Sequence, residues 1–191
     1  MEALSRTSIY VAALTGAVVA LALVAQTTDA GSAFVAFALV LLPVVYFLGV
    51  VTIVRLSQVN NEDARWVQGM NRIRNAYLQL APELEPYFVT SRYDDRQGVL
   101  RSAMAMRRVP PRMQAFVAVP GVVAVLNSVV AGAAAGIAGV GLDLGLAGSL
   151  ALGGAVFLLS IAGFTTWAMR AIPKMSEQLD PRFPAPPGDP A

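Results

Sequence analysis

Cysteine and histidine are absent from this 191-residue chain. Without them there is no disulfide framework, no thiolate catalysis, no haem ligation and no imidazole metal site. A histidine proton switch is excluded as well. Charge is also scarce: 14% of residues are charged and 56% are hydrophobic, where a soluble domain carries about 25% and about 45–50%.

What remains is distributed unevenly. Charges are missing from four runs, Thr7–Thr28, Gly31–Val54, Met113–Leu142 and Leu144–Met169. Each exceeds the roughly 20 apolar residues a helix needs to cross a hydrocarbon core about 30 Å thick. The pattern predicts an all-α membrane protein. Its four transmembrane helices form two hairpins, with a cytoplasmic helical insert between helices 2 and 3. The first hairpin covers residues 1–54, with spans near 8–26 and 33–54, and the insert covers 55–112. The second hairpin covers 113–170, with spans near 114–138 and 144–169. A proline-rich tail at 171–191 is expected to be disordered. The first run is longer than the apolar stretch of a secretory signal, about 7–15 residues, so it reads as a span.

Orientation follows from the fourteen basic residues. Arg6, the ten arginines from Arg55 to Arg112, and Arg170, Lys174 and Arg182 all fall on one side of a four-pass chain. The two short connections on the other side hold Asp29 and Asp143 and no positive charge. Both termini and the insert are therefore expected in the cytoplasm. Alanine, valine and arginine outweigh isoleucine and lysine, a codon bias that points to a bacterial plasma membrane.

Within the spans, small residues recur every four positions. Ala12, Gly16 and Ala20 do so in helix 1, Ser128, Gly132 and Gly136 in helix 3, and Ala147, Ala151 and Ala155 in helix 4. Such faces let helix backbones approach closely in lipid. Helices 1 and 4 are expected to use theirs inside the subunit, and helix 3 between subunits of a homo-oligomer. Pro43 and Pro120 read as kinks. Asn127, beside Ser128, is the strongly polar side chain deep in a span. It either glues two helices or lines a pore where several copies of helix 3 meet.

The insert carries the chain's variety. Val59, Trp66, Met70, Ile73, Tyr77 and Leu80 step by seven, four, three, four and three, an apolar helical stripe. It is expected to pack on a second insert helix, to form a coiled-coil seam between subunits, or to line a ligand-binding groove. The first insert helix either continues from helix 2 or starts afresh at a cap within Asn60–Asp63, and it ends before Pro82. Glu83 and Glu85 flank a proline elbow with Tyr87 and Phe88. Ser91–Asp94 has the spacing of the next helix start. Trp66, Tyr77, Glu83, Glu85, Tyr87 and Phe88 are the candidate contacts for a cytoplasmic protein partner on the 82–95 elbow. Ten arginines against six acids give the insert a net +4. Arg65, Arg72, Arg74, Arg107, Arg108 and Arg112 are placed toward solvent or anionic headgroups.

Catalytic chemistry is hard to find. No Walker loop, GxSxG or dinucleotide fingerprint is present. Asp94 and Asp95 together have the means to hold magnesium with a substrate phosphate, but acids at a helix start also have a structural use. No catalytic residue, metal ligand or cofactor is assigned, and no nucleic-acid partner is expected. Three functions follow in order. The first is an oligomeric membrane scaffold or accessory subunit. The second is a pore lined by helix 3 and gated by the insert. The third is an enzyme on lipid-linked substrates that uses Asp94 and Asp95.

Overall fold

Four helices in a computed structural model are long and apolar enough to cross a membrane. The structure describes residues 2–28, 31–105, 119–177 and 179–186. It is helical throughout, with no strand among the described residues. The elements are α1 (Glu2–Thr28), α2 (Ser32–Leu80), a 3-10 helix (Pro82–Tyr87), α3 (Arg96–Ala105), α4 (Val119–Gly141) and α5 (Gly145–Glu177).

The chain divides into two compact units. Unit 1 is Met1–Ser57 with Ala115–Trp167, and unit 2 is Gln58–Gln114 with Ala168–Ala191. α2 runs from one to the other without a break at Asn60–Asp63, so a fresh start at that point does not occur. The stretch has no glycine or proline to stop it, and asparagine mid-helix costs only a few tenths of a kcal/mol. α2 stops at Leu80, where Pro82 forces the preceding residue out of helical dihedrals.

Unit 1 draws its core from three helices. Tyr10 and Ala17 of α1, Ala38, Leu42, Val45, Ile53 and Leu56 of α2, and Val123 and Val130 of α4 form its buried cluster. Their steps of three, four, seven and eight put one face of each helix inward. Val40, Phe47, Leu158 and Leu159 point outward. A large apolar exterior is what lipid solvates and water does not.

The small-residue faces are assigned differently from the sequence expectation. The Gly132–Gly136 face of α4 is not left for another subunit, because it is packed on α5. A Cβ at Gly132 would lie 2.9 Å from the Gly153 carbonyl oxygen, and one at Gly153 would lie 2.8 Å from the Gly132 oxygen. One turn on, a Cβ at Gly139 would meet the Ser149 Cα at 2.9 Å. The Ser128 hydroxyl continues the seam to the Ser160 hydroxyl, 3.1 Å away. Conversely Ala12 and Gly16 of α1 and Ala147, Ala151 and Ala155 of α5 face outward, not into the subunit. α5 carries two small faces, and the one with Ser149 and Gly153 meets α4.

α4 and α5 are joined by a tight turn in which the Asp143 and Leu144 amides donate to the Val140 and Gly139 carbonyls. Asp143 and Gly145 take positive φ there, 57° and 67°. Aspartate tolerates that region and glycine has no penalty in it.

Candidate functional site: a buried aspartate and an outward apolar face

The polar residues of unit 2 organise around Asp94, whose side chain is 0% exposed. α2 presents a polar face to the loop before α3. Gln68 Nε2 donates to the Asp94 carbonyl at 3.0 Å, and Asn71 Nδ2 to the Tyr93 carbonyl at 2.7 Å. Asn71 Oδ1 accepts from Arg74 at 2.7 Å and from the Ser102 hydroxyl of α3 at 3.0 Å. Gln68, Asn71 and Ser102 are all buried. A buried amide with its donors and acceptor satisfied contributes stability and fixes register, whereas an unsatisfied one costs about 1–3 kcal/mol.

The Asp94 carboxylate collects three further donors. Arg72 Nε reaches Oδ2 at 2.7 Å. The backbone amides of Arg182 and Phe183 reach Oδ2 and Oδ1 at 2.9 and 2.7 Å. The Asp94 amide in turn donates to the Phe183 carbonyl at 3.2 Å, and Arg72 donates to the Asp180 carbonyl. Burial alone would push the Asp94 carboxyl up. The Arg182 amide, Arg72 and the Phe183 amide outweigh it and hold the group below its ordinary value.

Several expected roles are corrected by this arrangement. Arg72 is not free for headgroups; it is the ion-pair partner of Asp94. Arg74 is drawn onto Asn71, while Arg65 lies on the exposed surface. The Asp94 and Asp95 carboxylates are each engaged by separate protein donors. Asp95 Oδ1 accepts the Gly98 amide at 2.8 Å and caps α3. The helix therefore begins at Arg96, not within Ser91–Asp94, and the Ser91 hydroxyl accepts the Tyr93 amide instead. Among the described residues no acidic cluster fit to hold a metal is present. The tail is not disordered over 179–186, where Asp94 holds it and Leu179 is buried.

The apolar stripe is turned away from α3, so of the expected arrangements it is packing on a second insert helix that does not occur. Trp66 is 74% exposed, Ile73 58%, Tyr77 54% and Leu80 84%, and Met70 is exposed beside them. α3 packs on the opposite, amide-bearing face of α2. Elbow residues Glu83, Glu85 and Tyr87 are exposed, Phe88 is half-buried, and Glu85 pairs with Arg92 at 3.1 Å on the surface. Arg107, Arg108 and Arg112 lie outside the described residues.

In unit 1, Asn127 is buried within the subunit. Its Oδ1 accepts the Tyr10 hydroxyl at 3.3 Å, and a Cβ at Gly49 would sit 2.0 Å from that oxygen. Glycine at 49 makes room for the amide oxygen, while Asn127 Nδ2 is buried without a hydrogen-bond partner. Ser128 bonds within the subunit too, to the Ala124 carbonyl and Ser160. Sequence reasoning found Asn127 but missed Tyr10 and Gly49, which carry no polar-run signal of their own. Comparison with family models, with curated proteins and with solved structures gives no match.

Proposed function

We propose that the chain is a four-pass scaffold or accessory subunit of the bacterial plasma membrane that works by binding proteins and not by chemistry. Its two hairpins sit in the bilayer, with both termini and the 55–112 insert in the cytoplasm, as the one-sided placement of arginine supports. The observation that carries the proposal is the inverted α2 segment in unit 2: amides inward, and Trp66, Met70, Ile73, Tyr77 and Leu80 outward. A helix that buries polar groups and shows water its tryptophan is placed to receive a partner. The elbow adds two further exposed apolar side chains, Tyr87 and Val89, at 78% and 89%.

Self-association in the bilayer belongs to this proposal. The outward small faces of α1 and α5 are free for a second copy, in the manner of small-xxx-small pairing. A pore lined by Asn127 has less support, since the amide is buried against Tyr10 and does not face a subunit surface. An enzyme using Asp94 has less support for a similar reason: its carboxylate is already engaged by three donors.

The test compares proximity labelling and cross-linking in native membranes for the wild type and for Trp66→Gln with Ile73→Gln. Both side chains are exposed, so stability should stay within about 0.5 kcal/mol, while the captured proteins should thin out and the oligomers, held through α1 and α5, should persist. An unchanged set of captured proteins would remove the scaffold proposal.

A further inference from the structure

The segment after α5 reads Leu179-Asp180-Pro181-Arg182-Phe183-Pro184-Ala185-Pro186. Three prolines in it have no N–H and restrict the chain to extended dihedrals. Of the amides left between Pro181 and Pro186, Arg182 and Phe183 are the one adjacent pair. Both donate to the single carboxylate of Asp94, at 2.9 and 2.7 Å. Phe183 returns its carbonyl to the Asp94 amide, Arg72 holds the Asp180 carbonyl, and Leu179 is 6% exposed at the head of the segment. This is how a peptide is read by a receptor. Paired backbone bonds fix its register, one apolar side chain anchors it, and a proline frame lowers the entropy of ordering it.

We propose that Leu179–Pro186 is a peptide ligand bound in cis, and that Asp94, Arg72 and Gln68 form a seat for extended, proline-framed segments presenting two consecutive amides. The seat side is rigid for reasons internal to unit 2. Gln68 and Asn71 tie the Tyr93–Asp94 backbone to α2, and Asp95 caps α3 immediately after it. The carboxylate thus keeps its aim whether or not the segment is in place. The ligand side has no hydrogen-bonded secondary structure of its own, so the segment leaves and returns as a strap. Its occupancy decides whether the Asp94 carboxylate is hidden or offered to another segment of the same pattern.

The test uses the full chain with Arg182→Pro and Phe183→Pro, which deletes both amides and vacates the seat without shortening the protein. The probe is a fluorescently labelled peptide, Leu-Asp-Pro-Arg-Phe-Pro-Ala-Pro. It should bind this variant saturably and bind the wild type at least about tenfold more weakly, because there the seat is filled. Asp94→Asn added to the vacated variant should weaken binding about tenfold or more, the scale of losing charge-assisted bonds. Where Asp94→Asn disturbs the helical content, a peptide N-methylated at its phenylalanine tests the same contact from the ligand side. No binding to the vacated chain overturns the proposal, as does undiminished binding of the N-methylated peptide.

Discussion

Adding one methyl group at Gly153 should loosen unit 1, while adding one at Gly154 should not. At Gly153 the new Cβ meets the Gly132 carbonyl oxygen at 2.8 Å and the Gly136 Cα at 3.4 Å. The nearest atom belongs to backbone, so no side chain can swing aside. A comfortable carbon–oxygen approach is about 3.3–3.6 Å, and α4 and α5 must part by roughly 0.5–0.8 Å to restore it. A gap of that order forfeits a quarter to a half of each contact along the seam. Overpacking of this kind costs about 1–3 kcal/mol, and the higher helix propensity of alanine returns up to about 1. The net expectation for Gly153→Ala is a loss of about 1–2 kcal/mol. A Cβ at Gly154 meets nothing within 4 Å, so Gly154→Ala should be neutral or slightly stabilising.

Thermal unfolding in lipid nanodiscs, followed by helicity, reads the difference. At about 2–4 °C per kcal/mol for a chain of this length, Gly153→Ala should melt roughly 3–6 °C below Gly154→Ala. Native mass spectrometry on the same samples should show an unchanged subunit number, because the seam is internal. Equal midpoints for the two variants would refute the packing argument. A changed subunit number with an unchanged midpoint would return the Gly132–Gly136 face to the role of a contact between subunits.

Gly49→Ala places a Cβ 2.0 Å from Asn127 Oδ1 and 2.9 Å from the Tyr10 ring; it should cost more than about 2 kcal/mol and lower the melting midpoint sharply. Gly69→Ala, with nothing within 4 Å, is its neutral control in the same helix. Asp95→Ala removes the α3 cap and should cost about 1 kcal/mol, seen as faster amide exchange in Arg96–Ala105 with α4 unaffected. The lowered Asp94 carboxyl sets the pH response of the strap. A group lowered on folding contributes fully above its ordinary value, and that contribution is lost as pH falls through the lowered one. A spin label at position 185 should therefore report an ordered tail from about pH 8 to about pH 5, with release only in stronger acid. Release in the mildly acidic range would contradict the ion pair.

The four apolar helices were legible because run length and composition are local properties that lipid constrains directly. Partner choice was not. The Ser128–Gly132–Gly136, Ala12–Gly16–Ala20 and Ala147–Ala151–Ala155 series share one spacing, and spacing marks a groove without saying what fills it. The deciding detail was Ser149–Gly153 on α5, hidden in a helix that carries a second small series. In unit 2 the error had a different source. Gln68, Asn71 and Asn75 recur with a helical period as regular as that of Trp66, Met70 and Ile73, and the rule that apolar residues lie inside selected the wrong face. Asp94 depended on Arg72 and on residues 182–183, separated from it by 22 and by 88–89 positions. No local pattern in a single sequence announces contacts at that range.

The same chemistry faces outward in both units, but only one of them has an obvious solvent for it. The exterior of unit 1 is long, uniform and apolar, which suits hydrocarbon. The outward face of α2 in unit 2 is a narrow stripe edged by Glu62, Asp63 and Arg65, which suits neither hydrocarbon nor water. Its five large side chains retain enough exposed area for burial to contribute about 5–8 kcal/mol in gross terms. Free association of two proteins costs about 4–15 kcal/mol in lost freedom and ordering, so between partners in solution the stripe supports a weak contact at best. A chain held in a bilayer meets its neighbours at a high effective concentration and with its orientation already restricted, and both effects shrink that cost. Under the proposed scaffold function, an apolar stripe of this size would serve membrane-tethered partners and be too small to hold soluble ones.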